Sequence, residues 1–247
     1  RMGTPAGSAV TMPASDFVEA LKQVTRAAST DDLKPQLTGV LLAAAETGLR
    51  LVATDSYRLA VRDLIGQTVL GVDQKVLVPY QALNEVIRIA GGASEITLRL
   101  GERDATFEVG STRVTTRLIE QEFPDYRKLL PQPQPNVLTV AKDAIIDAIR
   151  RVKLLAKDSI PVRLEVGGDQ LKLSAITPEL GTAIEEIDAR YVGEPMTIAF
   201  NGEYLSSGID ACSGDEITLS IQEARKQAVL RGVGRDDFFY LLMPMKV

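Results

Sequence analysis

The chain has 247 residues, 45% of them hydrophobic, and a formal net charge of −5, which is typical of a folded protein. It has no His and one Cys, which excludes Ser-His-Asp and Cys-His catalysis, His-bound metals, thiolate zinc sites, Fe–S clusters and an internal disulfide. The acidic balance argues against a simple basic nucleic-acid-binding protein, but net charge does not show where the charges lie.

The start of the chain is rich in Gly, Ala and Ser and lacks the apolar core of a signal peptide. We interpret residues 1–9 as a linker or a remnant of cloning. No run of about 18 apolar residues predicts a membrane helix. Cys212 lies at helical spacing from Leu205 and Ile209, which predicts a buried core thiol and fits a reducing cytoplasm.

The first half of the chain predicts two helices and several short strands. Phe17, Leu21, Val24 and Ala28 fall on one face of the first helix, which Asp16 and Glu19 are expected to cap. A second helix is predicted over residues 80–90. The alternating segments that predict strands are 38–43, 48–54, 57–64, 95–100, 104–109 and 112–119.

The second half repeats this pattern. An amphipathic helix over 142–157 buries Ile145, Ile149 and Val152, and a later helix covers 202–212. The predicted strands are 161–166, 170–176, 181–188, 216–221, 226–232 and 237–243.

Short matches in the same order indicate an internal duplication. Glu95–Leu98 recurs as Glu216–Leu219 at an offset of 121 residues, and two upstream matches have offsets of 120 and 122. Because helices and strands do not alternate in a βαβ rhythm, we predict an α+β fold in which each copy packs two helices on antiparallel sheets. The predicted domains are residues 10–130 and 136–247, joined by the Pro-rich linker 131–135.

Positive charge is concentrated on one predicted helix. Residues 142–157 carry a net charge of +3, whereas the rest of the chain from residue 136 onward carries −7. Arg150, Lys153 and Lys157 align opposite the apolar face. Composition alone favours an ordinary solvated helix face, with a DNA-contacting wall as the alternative.

Three stretches together carry a family resemblance: V-A-T-D-S-Y-R-L-A at Val52–Ala60, F-P-D-Y-R at Phe123–Arg127, and M-P-M at Met243–Met245. From about residue 10 to its last residue, the chain resembles the bacterial DNA sliding clamp, the beta subunit of DNA polymerase III. The order of motifs resembles the second and third domains of that family. Family subunits have three such domains, and two subunits close head to tail into a ring, so we expect this chain to be a fragment that cannot close it.

The resemblance implies a non-catalytic processivity factor that encircles duplex DNA without sequence preference and acts in the cytoplasm at the nucleoid. It implies docking of polymerase, clamp loader, repair proteins and ligase, a full-length homodimer, and no cofactor, metal or membrane. The basic residues expected to face DNA are Lys22, Arg26, Arg88, Arg150, Arg151, Lys153 and Lys157.

In this family a hydrophobic groove between the second and third domains captures short peptides that carry Gln and spaced Leu or Phe. The residues that match its lining are Leu37, Thr54, Ser56, Tyr57, Arg58, Leu59, Pro124, Leu129, Asn201, Tyr204, Leu241, Met243, Pro244 and Met245. Family members often have Gly-His where this chain has Ser56-Tyr57, and smaller residues around Arg225-Lys226-Gln227. On pattern alone, the last residues would be a core strand that Pro244 interrupts.

Two other classes of function remain as alternatives. One is a peptide-binding module of the clamp fold without ring function, and retention on circular DNA would distinguish it from a clamp. The other is an aspartate-based hydrolase, which peptide binding would argue against. For Asp55 beside Arg58, we expect an internal ion pair rather than acid–base chemistry.

Overall fold

The computed structural model describes residues 9–155, 160–178 and 180–246. Its internal contacts divide the chain into two units, Arg1–Tyr126 and Arg127–Val247. The Pro-rich residues 131–134 carry neither helix nor strand. Each unit is described by itself.

The first unit contains two antiparallel sheets and two helices. Its helices are α1 (Ala14–Val24) and α2 (Tyr80–Ile89). Its strands are β1 (Ala9–Pro13), β2 (Gly39–Ala45), β3 (Gly48–Thr54), β4 (Arg58–Ile65), β5 (Lys75–Pro79), β6 (Glu95–Leu100), β7 (Asp104–Val109) and β8 (Thr112–Arg117). One sheet has the order β1-β6-β7-β8 and the other has the order β4-β3-β2-β5. Helix α1 contacts β3, β4 and α2, so the helices cover the core.

The second unit has the same plan with one extra short strand. Its helices are α3 (Lys142–Val152) and α4 (Gly202–Ala211). Its strands are β9 (Asn136–Ala141), β10 (Val162–Gly167), β11 (Gln170–Thr177), β12 (Gly181–Asp188), β13 (Arg190–Val192), β14 (Met196–Phe200), β15 (Glu216–Ile221), β16 (Ala228–Gly232) and β17 (Phe238–Leu242). The strand orders are β13-β9-β15-β16-β17 and β12-β11-β10-β14.

Equivalent hydrogen bonds confirm that the two units repeat one design. The first helical N–H of α1, at Ala14, donates to the carbonyl of Ser94 at 2.9 Å. The first helical N–H of α3, at Lys142, donates in the same way to the carbonyl of Asp215 at 2.8 Å. The prediction of an α+β fold with two helices and antiparallel sheets in each copy is therefore confirmed.

The predicted cap of the first helix is wrong. The N-cap of α1 is Pro13, and no side-chain hydrogen bond caps this helix within the part of the chain that the structure describes. The Ser94 carbonyl accepts the first of the four helical N–H groups that have no partner within the helix.

Two predicted boundaries are also corrected. Ala9 begins β1 and pairs with Arg99, so it is not linker. Helix α3 ends at Val152 rather than at residue 157, and residues 153–155 form a turn. The Thr177 hydroxyl donates to the Leu155 carbonyl at 2.9 Å, which ties this turn to the end of β11.

Each unit has its own hydrophobic core. In the first unit the rings of Phe17 and Phe107 stack with centroids 6.1 Å apart. In the second, Phe200 and Tyr240 are fully buried. Cys212 is buried as predicted, and its burial raises the pKa of the thiol to about 12. None of the helices in the described ranges is long and apolar enough to span a membrane.

Candidate functional site

The tip of the β3–β4 hairpin is a turn held by side chains of its own. The Asp55 carboxylate accepts hydrogen bonds from the Tyr57 and Arg58 N–H groups at 2.9 and 3.0 Å. The Thr54 hydroxyl donates to the Arg58 carbonyl at 2.6 Å and accepts from the Ser56 N–H at 3.2 Å. This network fixes the backbone of four of the residues predicted to bind peptide.

The expected ion pair at this turn is confirmed. Arg58 Nε lies 2.9 Å from Asp55 Oδ2, and both side chains are largely buried. The pair leaves the Asp55 carboxylate engaged with a cation and two amides, which suits a structural role rather than acid–base chemistry. The Tyr57 side chain is 62% exposed at the tip and offers a large amphipathic contact surface.

Other predicted residues of the first unit lie at different depths. Leu37 and Leu59 are buried core residues rather than exposed ones. Pro124 is exposed, between the buried rings of Phe123 and Tyr126. These two rings meet edge to face with centroids 6.3 Å apart, so they anchor the segment that presents Pro124.

Sequence reasoning missed an ion pair between β3 and β4. Arg50 on β3 and Asp63 on β4 face each other across the strands and form two bonds of 2.7 Å, from Nε to Oδ1 and from Nη2 to Oδ2. The hydrogen bond with Asp63, the largest cause, holds the pKa of Arg50 above its usual value.

In the second unit, the chain leaves the sheet after β17, as the position of Pro244 predicts. Strand β17 ends at Leu242, and the Met243 side chain is 42% exposed. The Met245 N–H then donates to the Ala199 carbonyl at 2.8 Å, which pins the tail to β14. Pro244 lacks an N–H and fits the crossing between the two strands. Leu241, by contrast, is a core residue of β17.

Asn201 and Tyr204 belong to the first turn of α4. The Asn201 side-chain oxygen accepts from the Glu203 and Tyr204 N–H groups at 2.9 and 3.1 Å, which makes Asn201 the N-cap. The Tyr240 hydroxyl donates to the Tyr204 carbonyl at 3.2 Å. Leu129 ends a short 3-10 turn (Tyr126–Leu129) with its side chain 45% exposed.

The basic residues of the first unit lie on its helices. Lys22 is exposed on α1, and its ammonium forms no ion pair with another residue in the described ranges. Arg26 follows one turn later and donates from Nε to the Lys22 carbonyl at 3.0 Å. Arg88, at the end of α2, is paired with Glu85 at 2.6 Å.

The basic residues of the second unit are largely neutralised. Arg150 pairs with Asp147 at 2.7 Å, Arg151 pairs with Glu185 at 2.9 Å, and Lys153 pairs with Glu203. The Arg151 bond lowers the pKa of Glu185. Lys157 lies outside the described residues. The net charge counted over residues 142–157 is therefore a poor measure of the positive charge that this segment presents to a ligand.

Lys142 is also not a surface cation of the usual kind. Its ammonium donates to the carbonyls of Asp210 and Cys212, at the carboxyl end of α4. A cation there complements the partial negative charge of the helix end. No group of three or more His, Cys, Asp or Glu in the described part of the chain is placed to hold a metal.

Comparisons with known proteins agree along the whole described chain. Residues 11–125 match the family model of the DNA polymerase III beta subunit, central domain, and residues 127–246 match that of its C-terminal domain. A beta sliding clamp of Streptomyces coelicolor is 32% identical over 249 residues, covering 96% of this chain and 66% of the relative. One of Staphylococcus aureus (strain Mu50) is 33% identical over 230 residues, covering 92% of this chain and 61% of the relative.

A solved structure shows the same fold. The sliding clamp of Bartonella birtlesii, crystallised bound to griselimycin, is 28% identical with a TM-score of 0.92, and the match covers 100% of this chain and 68% of that one. The chain thus spans slightly less than two thirds of the length of the curated relatives described above.

Proposed function

This chain belongs to the family of bacterial beta sliding clamps, the beta subunits of DNA polymerase III, and we propose that it forms the central and C-terminal part of a processivity factor. The observation that carries the proposal is the unbroken succession of the central-domain and C-terminal-domain matches on one clamp fold. In the proposed clamp, two subunits of three such domains close into a ring around duplex DNA, and this chain supplies two domains of a subunit.

The proposed mechanism is topological and electrostatic. Exposed cations such as Lys22 and Arg26 attract phosphates of every sequence alike, so the ring can slide. The net charge of −5 discourages DNA from binding elsewhere on the surface. In this proposal the protein binds its partners and catalyses no reaction, and it acts in the cytoplasm, where the chromosome lies.

Retention on DNA tests the clamp against its alternative. The chain joined to the family's first domain is loaded by a clamp loader onto nicked circular DNA, and we expect it to stay bound until the circle is linearised. Equal loss from circular and linear DNA would instead favour a peptide-binding module without ring function.

We further propose that two surfaces dock partner proteins through short peptides that carry Gln and spaced Leu or Phe. One surface comprises the Thr54–Arg58 turn with Pro124, and the other comprises Met243–Met245. Flexible Met side chains suit a surface that receives several partners, while the fixed turn supplies orientation. Polymerase, clamp loader, repair proteins and ligase are the proposed partners.

A labelled Gln-Leu-x-Leu-Phe peptide tests the second surface. We expect micromolar binding, about −8 kcal/mol, and competition by griselimycin. Met243→Ala should weaken binding by about 1–2 kcal/mol because its exposed thioether is lost.

Val233→Ala is the matched control, since Val233 is 47% exposed but precedes the opposite end of β17. A folded Met243→Ala protein that binds as tightly as the Val233→Ala protein would reject the assignment of Met243.

A further inference from the structure

The turn between β15 and β16 lies at the same end of its sheet as the Met243–Met245 surface. Ala228, the first residue of β16, pairs with Ile221 at the end of β15 on one side and with Leu242 at the end of β17 on the other. Because neighbouring strands lie about 4.8 Å apart, the turn of residues 222–227 and the tail that begins at Met243 leave the sheet side by side. The turn therefore borders the second of the two proposed peptide surfaces.

Two bonds close this turn and place Arg225 at its tip. The Lys226 N–H donates to the Glu223 carbonyl at 3.0 Å, and the Lys226 ammonium lies 2.9 Å from the Glu223 carboxylate. A hydrogen bond between the first and fourth residues defines a β-turn, of which Arg225 is one of the two central residues. Its side chain is exposed.

Arg225 carries positive charge that its neighbours leave uncompensated. Lys226 is already paired with Glu223, and Glu203 at the start of α4 is paired with Lys153. Arg225 itself forms no ion pair with any side chain that the structure describes. A planar guanidinium matches a carboxylate with two parallel hydrogen bonds. The apolar Met243–Met245 surface thus has a cation at its edge that can bind a carboxylate of a partner.

We propose that Arg225 selects partner peptides in which an acidic residue flanks the spaced Leu or Phe, by pairing with that carboxylate beside Met243. The inference rests on the proposed peptide docking and adds the charge of the preferred partner. Charges at the rim of an interface act mainly on selectivity and on the salt dependence of binding, while the apolar contacts supply affinity. The protein's net charge of −5 repels acidic peptides in general, so a preference for them requires a local cation.

Three labelled peptides test the inference. Each has the Gln-Leu-x-Leu-Phe core, with two Asp before it, two Asp after it, or Asn in place of every Asp. At about 50 mM salt we expect one of the acidic peptides to bind about two- to fivefold more tightly than the neutral one, and about 0.5 M salt should remove most of this difference. Arg225→Gln should abolish the difference and leave the Kd of the neutral peptide unchanged.

Arg235→Gln is the matched control. Arg235 is an exposed Arg in the turn between β16 and β17, at the opposite end of both strands from Met243. Its replacement changes the net charge as Arg225→Gln does, so a general electrostatic effect would appear in both variants, whereas the inference expects Arg235→Gln to keep the preference for the acidic peptide. Arg225→Glu should reverse the preference, so that a peptide with Lys in place of Asp binds more tightly than the acidic one.

The outcomes separate the two proposals. Wild-type protein that binds none of the three peptides would overturn the proposed docking function and this inference with it. Wild-type protein that binds the neutral peptide at least as tightly as both acidic ones would overturn this inference alone. A preference that persists in folded Arg225→Gln, or that is lost equally in Arg235→Gln, would overturn it in the same way.

Discussion

At the scale of single residues, Ser56 has the least favourable backbone of the candidate surface. Its φ is 82°, in the left-handed region that costs an L-residue about 1–2 kcal/mol and costs Gly little. The hydrogen bonds that the Thr54 and Asp55 side chains accept from the Ser56 and Tyr57 N–H groups hold the turn in this conformation. Ser thus stands where the conformation favours Gly, the residue that the family resemblance implies.

We expect Ser56→Gly to raise the free energy of unfolding by up to about 1 kcal/mol and Ser56→Val to lower it by about 2 kcal/mol. The measurement is urea unfolding followed by circular dichroism. Asp73→Gly is the control, because Asp73 has a φ of 60° but Asp tolerates this region. A larger gain in Asp73→Gly than in Ser56→Gly would contradict the explanation.

The buried thiol of Cys212 predicts a loss of stability in alkali. Its pKa is raised to about 12 by burial, whereas an unfolded thiol ionises near 8.5. Because the folded state disfavours the thiolate, the free energy of unfolding should fall as the pH rises above about 8.5, and Cys212→Ala should remove this part of the pH dependence.

A thiol reagent provides the direct measurement. At pH 8.5 we expect no labelling of the native protein and one equivalent after unfolding in urea, since Cys212 is the single Cys. Rapid labelling without unfolding would show that the thiol is accessible.

At the scale of elements, alternation predicted best those strands that have one buried face. Strand β10, for example, has buried residues at Val162, Leu164 and Val166, and lies one residue from its predicted position. Five strands were not predicted, namely β1, β5, β9, β13 and β14. Strand β13 has only three residues, and so short a segment shows no period. The end of α3 was predicted too late because the Thr177 bond to Leu155 is a tertiary contact.

The candidate site was less predictable than the fold. Sequence alone identified which stretches matter, but it could not distinguish exposed Met243 from buried Leu241 two residues earlier. Nor could it show that carboxylates on other elements neutralise basic residues in and just after α3. Glu185 does so for Arg151, and Glu203 does so for Lys153. Both properties depend on which elements pack together.

Asn201 was predicted to line the peptide groove, but its position at the start of α4 also gives it a structural role. As the N-cap of α4 it accepts two backbone hydrogen bonds, and Asn201→Ala should lower the free energy of unfolding by about 1 kcal/mol. Asn201→Asp keeps an accepting oxygen and should be nearly as stable as the wild type. If Asn201→Asp nevertheless weakens peptide binding, the amide has a binding role besides the cap.

At the scale of the whole molecule, one repeated design has produced two different charged surfaces. The first unit leaves Lys22 exposed on α1 with no ion pair to a described residue, while the equivalent helix of the second unit has its Arg150 bound to Asp147. A phosphate that binds Arg150 must compete with a carboxylate, and a phosphate that binds Lys22 need not. The proposed DNA-facing charge is therefore unequal between the units.

This inequality predicts the salt dependence of DNA binding. For a non-specific 30-base-pair duplex, Lys22→Gln should reduce the slope of log K against log salt by about 0.9, the value for one phosphate contact. Arg150→Gln should reduce it less, because Asp147 already screens that guanidinium. Arg103→Gln, an exposed cation in the turn between β6 and β7, should leave the slope unchanged. A slope that falls as much in Arg150→Gln as in Lys22→Gln would show that the intramolecular ion pairs open freely on DNA. The net charge of the helix would then predict its contacts with DNA better than its ion pairs do.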